Sequence, residues 1–337
     1  MRIVVIGVGH WHAAMHIDGF ASAGAEIVGV SDPSGRAQDI AARLGCAAFD
    51  EPRAMIESTS PDFVMAMARH VEMPAIARLL IEIGIPFGIE KPLGLSAKMA
   101  GPVVDLMKKK GVFAAVPLIN RYSRIWEIIR GDGKYSGEGA ARRPARAKVS
   151  HASFRVVNGS PERYEMAGVG WMLDPQQSGG GALRNLGIHG ADAFLMLTGG
   201  EPYSVKGAAL HNRIHHRAVE EFGSILLESD SGVIATVEAG YSYASRQAGG
   251  DFEWRIALSD RYLIDRDSTV SSVGFGDSAP EILPNRPQGE RYREFGRDTL
   301  ERLAAGSPPI ADLEDCYNAM LLVDRAYEKA GLQGMAP

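Results

Sequence analysis

Cysteine is almost absent from this chain of 337 residues, which holds only Cys46 and Cys316. Two cysteines are too few for a disulfide framework at this length, so the composition is typical of a reducing compartment. Long apolar runs are missing too, because the most apolar stretch, 74–89, is interrupted by charged residues, glycine and proline. A predicted strand begins at Arg2 and leaves no room for a secretion signal. The sequence therefore predicts a cytoplasmic protein without a membrane segment.

An excess of basic charge is also lacking. The chain has 36 Lys and Arg against 41 Asp and Glu, and this net charge of -5 argues against nucleic acid as a partner. Hydrophobic residues at 45% and charged residues at 23% are the proportions of an ordinary globular protein. Because 337 residues exceed what one hydrophobic core usually holds, two domains are expected.

Up to about residue 121, short β-branched runs alternate with stretches of helical periodicity. This alternation predicts parallel strands joined by crossover helices. The predicted strands are 3–7, 26–31, 63–67, 87–89 and 113–116. The clearest predicted helices are 38–44 and 73–83. We therefore expect a dinucleotide-binding α/β domain over residues 1–121.

The second half, residues 122–337, has a different pattern. Longer strand-like runs follow one another without crossover helices, which predicts a mostly antiparallel sheet in an α+β domain. The predicted strands are 145–156, 203–210, 221–227, 233–238 and 254–258. A helix is expected over 183–197, and another from the cap Asp312 to Gly331, where it can pack back on the first domain. The stretches 131–143 and 278–288 are expected to be exposed loops.

A Gly-Val-Gly-His-Trp-His turn at 7–12 directly follows the first predicted strand. Its glycines would let backbone N–H groups approach a pyrophosphate at the start of the next helix. His12 takes the place of the usual third glycine, which sets how closely helix and strand pack. Asp32, at the end of the second strand, is placed to bind a ribose 2′-hydroxyl and favours NAD, whereas Arg36 leaves NADP open. The alternative is a plain loop, with Asp32 as a helix cap.

A Glu-Lys-Pro triplet, Glu90 to Pro92, follows the strand predicted at 87–89. Ligands of open α/β sheets bind at this edge. The pKa of Lys91 in a partly desolvated cleft would be lowered, so that its amine could exchange a proton with a substrate hydroxyl while hydride leaves the same carbon. The alternative is a surface lysine that pairs with Glu90.

A glycine-rich segment at 178–192 leads into the predicted helix that carries Asn185 and His189. These two residues are four apart and would project from one helix face. Asn185 could orient a hydroxyl group, and His189 could donate to it or accept from it near neutral pH. The alternative is a buried histidine whose hydrogen bonds are satisfied.

In this order and at these separations, the three motifs resemble the Gfo/Idh/MocA family of oxidoreductases. The likeness extends to the pair Asn120-Arg121 and to Gly-Ser-Pro-Pro at 306–309. The family binds NAD(P) in a Rossmann domain and oxidises sugars, polyols or related hydroxyl compounds beside an open, mostly antiparallel sheet. The resemblance implies a small polyhydroxylated substrate and a homodimer or homotetramer.

The resemblance also implies roles for individual residues. Lys91 would be the catalytic lysine and His189 the catalytic histidine, while Asn185 would occupy the place of the usual aspartate. Glu90 and Pro92 would lie along the nicotinamide and its ribose. The expected cofactor contacts are Gly7, Gly9, His10, Trp11, His12, Asp32, Arg36, Ala68, His70, Glu90, Lys91, Pro92 and Asn120. The expected substrate contacts are Lys91, Arg121, Arg155, Trp171, Asn185 and His189.

Some residues depart from the family pattern. Asn185 cannot accept a proton as a carboxylate does. No cysteine or carboxylate completes a metal site with His10, His12 and His16, so no metal is expected. We predict hydride transfer between NAD(P) and a secondary hydroxyl of a sugar, cyclitol or related compound. The alternatives are a glycosidase that uses bound NAD transiently and a non-catalytic NAD(P)-binding sensor, which Asn185 would favour.

Overall fold

A six-stranded parallel sheet organises the first half of the computed structural model, which describes residues 1–130, 148–246 and 249–332. The strand order β3-β2-β1-β4-β5-β6 is that of a Rossmann dinucleotide-binding sheet and confirms the predicted fold. The strands are β1 (Arg2–Ile6), β2 (Glu26–Ser31), β3 (Ala47–Phe49), β4 (Phe63–Ala66), β5 (Phe87–Ile89) and β6 (Ala114–Ala115). The helices are α1 (Ala13–Ser22), α2 (Arg36–Leu44), α3 (Pro52–Thr59), α4 (Met73–Ile83), α5 (Ala97–Lys110) and α6 (Arg124–Arg130).

The central strand β1 shows why this sheet is buried on both faces. Ile3 and Val5 pack into the same apolar cluster as Phe20 of α1. Val4 and Ile6 belong to a second cluster on the opposite face. Because alternate side chains of a strand point to opposite faces, a continuous apolar run serves two cores at once.

An eight-stranded sheet organises the second half, in the order β14-β13-β12-β11-β7-β10-β9-β8. Its neighbouring strands are antiparallel except for the parallel pair β7 and β10, as the mostly antiparallel prediction requires. The strands are β7 (Val149–Gly159), β8 (Tyr203–His211), β9 (Phe222–Ser229), β10 (Ile234–Tyr243), β11 (Gly250–Leu258), β12 (Arg261–Arg266), β13 (Thr269–Gly274) and β14 (Glu281–Pro284). The helices are α7 (Glu162–Met166), α8 (Pro175–Ser178), α9 (Ile188–Thr198), α10 (Gln288–Ala304) and α11 (Leu313–Lys329).

The sequence patterns missed the elements between 261 and 304. The loop expected at 278–288 contains β14, which pairs with β13 at the edge of the sheet. The last residue of that expected loop is the first of α10, whose buried stripe includes Tyr292, Phe295 and Leu300. Their helical spacing is present in the sequence, but the proline-rich stretch before them favours a long loop. The loop expected at 131–143 and the start of the strand expected from 145 lie outside the described residues.

The helix predicted at 183–197 begins as a π-helical turn, Leu183–Gly187, and continues as α9. π-Helical turns inside helices are rare and occur frequently at functional sites. The C-terminal helix α11 forms as predicted, because the Asp312 carboxylate accepts hydrogen bonds from the backbone N–H groups of Glu314 and Asp315. This helix returns to the first domain, where it packs against α5.

Helix α9 covers one face of the eight-stranded sheet, and the opposite face is open as far as residues 1–130, 148–246 and 249–332 show. Apolar side chains exposed on that open face include Leu226, Ile234, Val273 and Ile282. None of the helices in the described ranges is both long and apolar enough to cross a bilayer.

A buried ion pair joins the two halves through Arg121, which follows β6. Its Nε donates to the Asp192 carboxylate of α9 at 3.0 Å, and its Nη2 lies 3.0 Å from Asp315 of α11. Its Nη1 donates to the carbonyl oxygen of Ile310 at 2.6 Å. The guanidinium of Arg121, expected to contact substrate, is instead bound by these partners in this structure.

We predict that Arg121→Leu lowers the free energy of unfolding by about 3 kcal/mol, because it leaves the buried Asp192 carboxylate unpaired. The measurement is urea denaturation followed by circular dichroism. Arg155→Leu is the matched control, since Arg155 pairs with Glu238 at a solvent-exposed position and its loss should cost less than about 1 kcal/mol. Equal stability of the two variants would contradict the structural role of Arg121.

Candidate active site

A cavity of about 280 Å³ lies between the two sheets and receives residues from both halves of the chain. Three residues singled out in the sequence, Lys91, Asn185 and His189, meet in its wall. The other lining residues are Trp11, His12, Met15, Ile119, Asn158, Arg163, Tyr164, Ala167, Leu186, Gln288 and Tyr292.

The glycine turn at 7–12 borders this cavity and fits a dinucleotide. Gly7 has a φ of +76°, and a Cβ there would lie 1.8 Å from the carbonyl oxygen of Met67, so only glycine is accommodated. The backbone N–H of Trp11 donates no hydrogen bond to any described residue. It therefore leaves a donor available to an anionic phosphate at the start of α1.

Asp32 ties the end of β2 to the same turn. Its carboxylate accepts hydrogen bonds from the backbone N–H of Gly9 at 2.6 Å and of Ser34 at 2.9 Å. Arg36 donates from Nη1 to the carbonyl oxygen of Gly9 at 3.1 Å. The structure thus places Asp32, which favours NAD, and Arg36, which leaves NADP open, at the same turn. The Asp32 carboxylate is buried, whereas Arg36 is exposed.

Lys91 follows β5, and its side chain contacts the second half of the chain. Its Nζ donates to the backbone carbonyl oxygen of Asn185 at 2.9 Å and to the side-chain Oδ1 of Asn185 at 3.2 Å. Burial lowers the pKa of Lys91 from its ordinary value, and the nearby Glu90 carboxylate opposes this effect. The neutral amine is therefore more accessible than it is for a surface lysine.

Asn185 uses the hydrogen-bonding capacity of its side-chain amide. While Oδ1 accepts from Lys91, Nδ2 donates to the hydroxyl oxygens of Tyr164 at 3.0 Å and Tyr241 at 3.1 Å. The neutral amide oxygen thus holds the Lys91 amine by a hydrogen bond without contributing a negative charge. A carboxylate at this position would favour the charged lysine much more strongly.

His189 lies on the first turn of α9. Burial lowers the pKa of His189 well below its ordinary value, and the positive charge of Lys91 lowers it further. Its Nδ1 is buried and has no hydrogen-bond partner in the described part of the chain. The neutral imidazole can therefore accept from a ligand hydroxyl, or donate to it, according to its tautomer.

Glu90 does not line the cavity; it forms a buried cluster behind it. Its Oε1 accepts hydrogen bonds from His12 Nδ1 at 2.9 Å and His16 Nε2 at 2.7 Å, and its Oε2 accepts one from the backbone N–H of Lys91 at 3.1 Å. Burial would raise the pKa of Glu90, but the two imidazoles hold it well below its ordinary value. The Glu90 carboxylate, expected along the nicotinamide, is thus bound by these protein groups, and its contact with the cofactor stays a prediction.

Arg155, expected to contact substrate, lies away from the cavity. It stands on β7 between Phe154 and Val156, whose side chains are buried under α9. Because neighbouring side chains alternate between the faces of a strand, Arg155 points to the open face. It pairs there with Glu238 at 2.7 Å and Asp251 at 3.4 Å, away from the cavity.

His70 and Trp171 form contacts between the domains outside the cavity wall. The Nδ1 of His70 donates to the carbonyl oxygen of Ser178 at 2.7 Å, and its ring packs edge-on against Trp171. Burial lowers the pKa of His70 to about 3. Trp171 also lies parallel to Trp11, with ring centroids 6.5 Å apart. Neither predicted contact, to cofactor by His70 or to substrate by Trp171, is supported by this placement.

The remaining expected cofactor residues lie near the site. Asn120 borders an adjoining cavity of about 300 Å³, and its Oδ1 accepts from Arg291 at 2.6 Å. Pro92 is buried and Ala68 half-buried beside the ends of β5 and β4. His10 accepts a hydrogen bond at Nδ1 from the backbone N–H of residue 12.

Sequence reasoning missed several residues of the wall. Gln288 and Tyr292 belong to α10, which was not predicted, and Asn158 is the penultimate residue of β7. The apolar periodicity of α10 would have identified the helix, but not the side that faces the cavity. Tyr241 was missed because the sequence offers no sign that its hydroxyl meets Asn185.

A Rossmann sheet whose glycine turn and buried lysine face a second, open-sheet domain defines a class of nicotinamide-dependent oxidoreductases. Residues 1–117 match the profile of an oxidoreductase family with an NAD-binding Rossmann fold, and residues 147–263 match the Gfo/Idh/MocA C-terminal domain. The chain therefore belongs to the Gfo/Idh/MocA family of oxidoreductases, and its first domain is of the NAD-binding type. Both statements agree with the resemblance found in the sequence.

Similar proteins include characterised dehydrogenases. UDP-N-acetylglucosamine 3-dehydrogenase of Acidithiobacillus ferrooxidans is 26% identical over 323 residues, which cover 95% of this chain and 88% of that protein. scyllo-Inositol 2-dehydrogenase (NAD(+)) of Bacillus subtilis is 27% identical over 253 residues, covering 71% and 67%. Among solved structures, levoglucosan dehydrogenase in complex with NADH and L-sorbose has a TM-score of 0.83 at 17% identity, covering 98% of this chain and 97% of the other. This structural likeness shows a shared fold.

We predict that Asn185→Asp raises the pKa of the Lys91 amine by about 1 unit or more, because a carboxylate within hydrogen-bond distance stabilises the ammonium form. Titration of the Lys91 side chain by NMR measures the shift. Asn158→Asp is the matched control, since it places the same charge in the cavity wall at a residue with no hydrogen bond to Lys91. An unchanged pKa in Asn185→Asp would show that position 185 does not set the charge of the lysine.

Proposed function

We propose that this protein oxidises a secondary hydroxyl group of a sugar, cyclitol or related polyol and transfers hydride to NAD. The observation that carries this proposal is the convergence of Lys91, Asn185 and His189 on one cavity beside the glycine turn. The names of the relatives support it, since they act on a sugar nucleotide and an inositol.

The cavity wall suits a polyhydroxylated ligand. Trp11 and Tyr164 pack together with ring centroids 5.0 Å apart and offer aromatic surface to the C–H faces of a sugar ring. Arg163, Asn158 and Gln288 add polar groups that can bind further hydroxyls.

Lys91 and His189 would act on the reacting hydroxyl. NAD, when bound, supplies the hydride acceptor. The Lys91 amine, held by Asn185 and depressed in pKa, accepts the hydroxyl proton. The neutral His189 imidazole binds the same hydroxyl and orients it.

We predict that Lys91→Ala lowers turnover by about a hundredfold or more, because the proton acceptor is removed, while NAD affinity changes little. Steady NADH formation with a panel of sugars and cyclitols measures turnover, and calorimetry measures NAD binding. Lys91→Met checks that lost packing is not the cause, because it keeps most of the side-chain volume. Near-normal turnover in either variant would remove Lys91 from the mechanism.

The same assay separates the two alternative functions. Release of an aglycone from a glycoside without net NADH formation would identify the glycosidase. Binding of NAD with no turnover of any compound in the panel would identify the sensor. Either outcome replaces the dehydrogenase proposal.

We predict that Asp32→Ala relaxes the preference for NAD over NADP by about tenfold, since it removes the carboxylate that repels a 2′-phosphate at the turn. The ratio of kcat/KM with the two cofactors measures this preference. Asp39→Ala is the matched control, because Asp39 lies on the neighbouring helix α2 without a contact to Gly9. If both variants keep the wild-type ratio, Asp32 does not select the cofactor.

A further inference from the structure

Oxidation of a hydroxyl group releases a proton that must leave the site. This inference rests on the proposed function, in which the proton first reaches the buried Lys91 amine. Asn185, which holds that amine, has no basic atom that can take the proton onward. A further proton acceptor in the wall of the cavity would return the Lys91 amine to its neutral form between turnovers.

The imidazoles of His12 and His189 line the cavity with Lys91, and their Nδ1 atoms have different surroundings. In His12, Nδ1 donates to the Glu90 carboxylate at 2.9 Å. In His189, Nδ1 is buried without a partner among the described residues. A carboxylate stabilises the cation that forms when an imidazole accepts a proton, so His12 is the better acceptor of the two.

The free nitrogen of His12 is available for this task. Its Nε2 makes no hydrogen bond to any described residue and is not among the buried unpaired atoms, and His12 itself lines the cavity. Burial lowers the pKa of His12, and the charge of Glu90 opposes this effect. The ring is therefore neutral near pH 7 and carries a lone pair on Nε2. The titratable groups that surround it are Glu90, Lys91, His10, His16, His189 and Tyr292.

We propose that His12, supported by Glu90, is the proton acceptor that replaces the missing carboxylate at position 185. When the substrate is oxidised, its C–H bond breaks and the electron pair leaves as hydride to NAD. The O–H bond breaks, and the proton passes through the Lys91 amine to Nε2 of His12. The imidazolium then returns the proton to solvent, so that charge and atoms balance over each turnover.

The position of His12 makes this arrangement specific to the chain. It stands where the glycine turn normally has its third glycine, and it leads directly into α1. Its bond to Glu90 connects that turn to the residue preceding Lys91. A glycine at position 12 would leave an opening of the size of an imidazole ring.

Chemical rescue tests the proposal. His12→Gly should lower kcat by about a hundredfold, and added imidazole should restore at least about a tenth of the lost rate. Rescue by a series of substituted imidazoles should follow their basicity, which a purely structural role would not produce. NAD affinity, measured by calorimetry, should change less than about twofold. Loss of NAD affinity together with absence of rescue would show that His12 serves the cofactor, and it would overturn the proposal.

Matched variants make the rescue interpretable. His10→Gly changes the same residue type two positions earlier in the turn, and whatever its own rate, added imidazole should not increase it. His12→Asn keeps a donor for Glu90 but has no basic atom, and it leaves no space for imidazole. It should therefore be slow and not rescued, whereas normal turnover in this variant would contradict the proposal.

The tautomer of His12 can be measured without turnover, which separates the role proposed for His12 from the proposed dehydrogenase function. NMR of ¹⁵N-labelled wild-type protein should show His12 near pH 7 with its proton on Nδ1 and none on Nε2. In Glu90→Gln this tautomer preference should weaken. A proton on Nε2 of the wild type would overturn the proposal even if the protein oxidises sugars. Absence of any turnover combined with the expected tautomer would instead overturn the proposed function.

Discussion

The site depends on one buried contact between the two halves of the chain, the pair of hydrogen bonds from Lys91 to Asn185. A lysine that is taken out of water must keep its polar atoms satisfied or lose stability. Two oxygens of a single residue, one from the backbone and one from the side chain, satisfy this requirement at 2.9 and 3.2 Å. Because both come from a π-helical turn of the second half, the lysine has its present position only when the two halves are packed together.

The side chain of Asn185 is also fully engaged in hydrogen bonds to its neighbours. An amide offers two N–H donors and one acceptor oxygen, and here Tyr164, Tyr241 and Lys91 engage both sides of it. A carboxylate would reverse the direction of the bonds to the tyrosines, since it can only accept. Because a tyrosine hydroxyl can accept or donate, the two tyrosines hold position 185 whether it carries an amide or a carboxylate.

The sequence could predict the parallel α/β fold of the first half and the three motifs of the site, because apolar runs and glycine turns are local signals. It could not predict which way a side chain such as Arg155 points, since that depends on strand register and on the face that α9 covers. The partners of Arg121 could not be predicted for a related reason. Its neighbours in space, Asp192 and Asp315, are far away in sequence, and no local pattern shows that they meet it.

No carboxylate contacts the Lys91 amine among the described residues, but the Glu90 carboxylate is buried next to it. The carboxylate nearest to Lys91 along the chain is Glu90, whose Oε1 accepts from His12 and His16 and whose Oε2 accepts from the backbone N–H of Lys91. The negative charge of Glu90 raises the pKa of Lys91, but burial lowers it by more. Direct contact with a carboxylate would fix the lysine as a cation. With Asn185 in contact instead of a carboxylate, the amine is more readily neutral, which is the condition that hydroxyl oxidation places on this site.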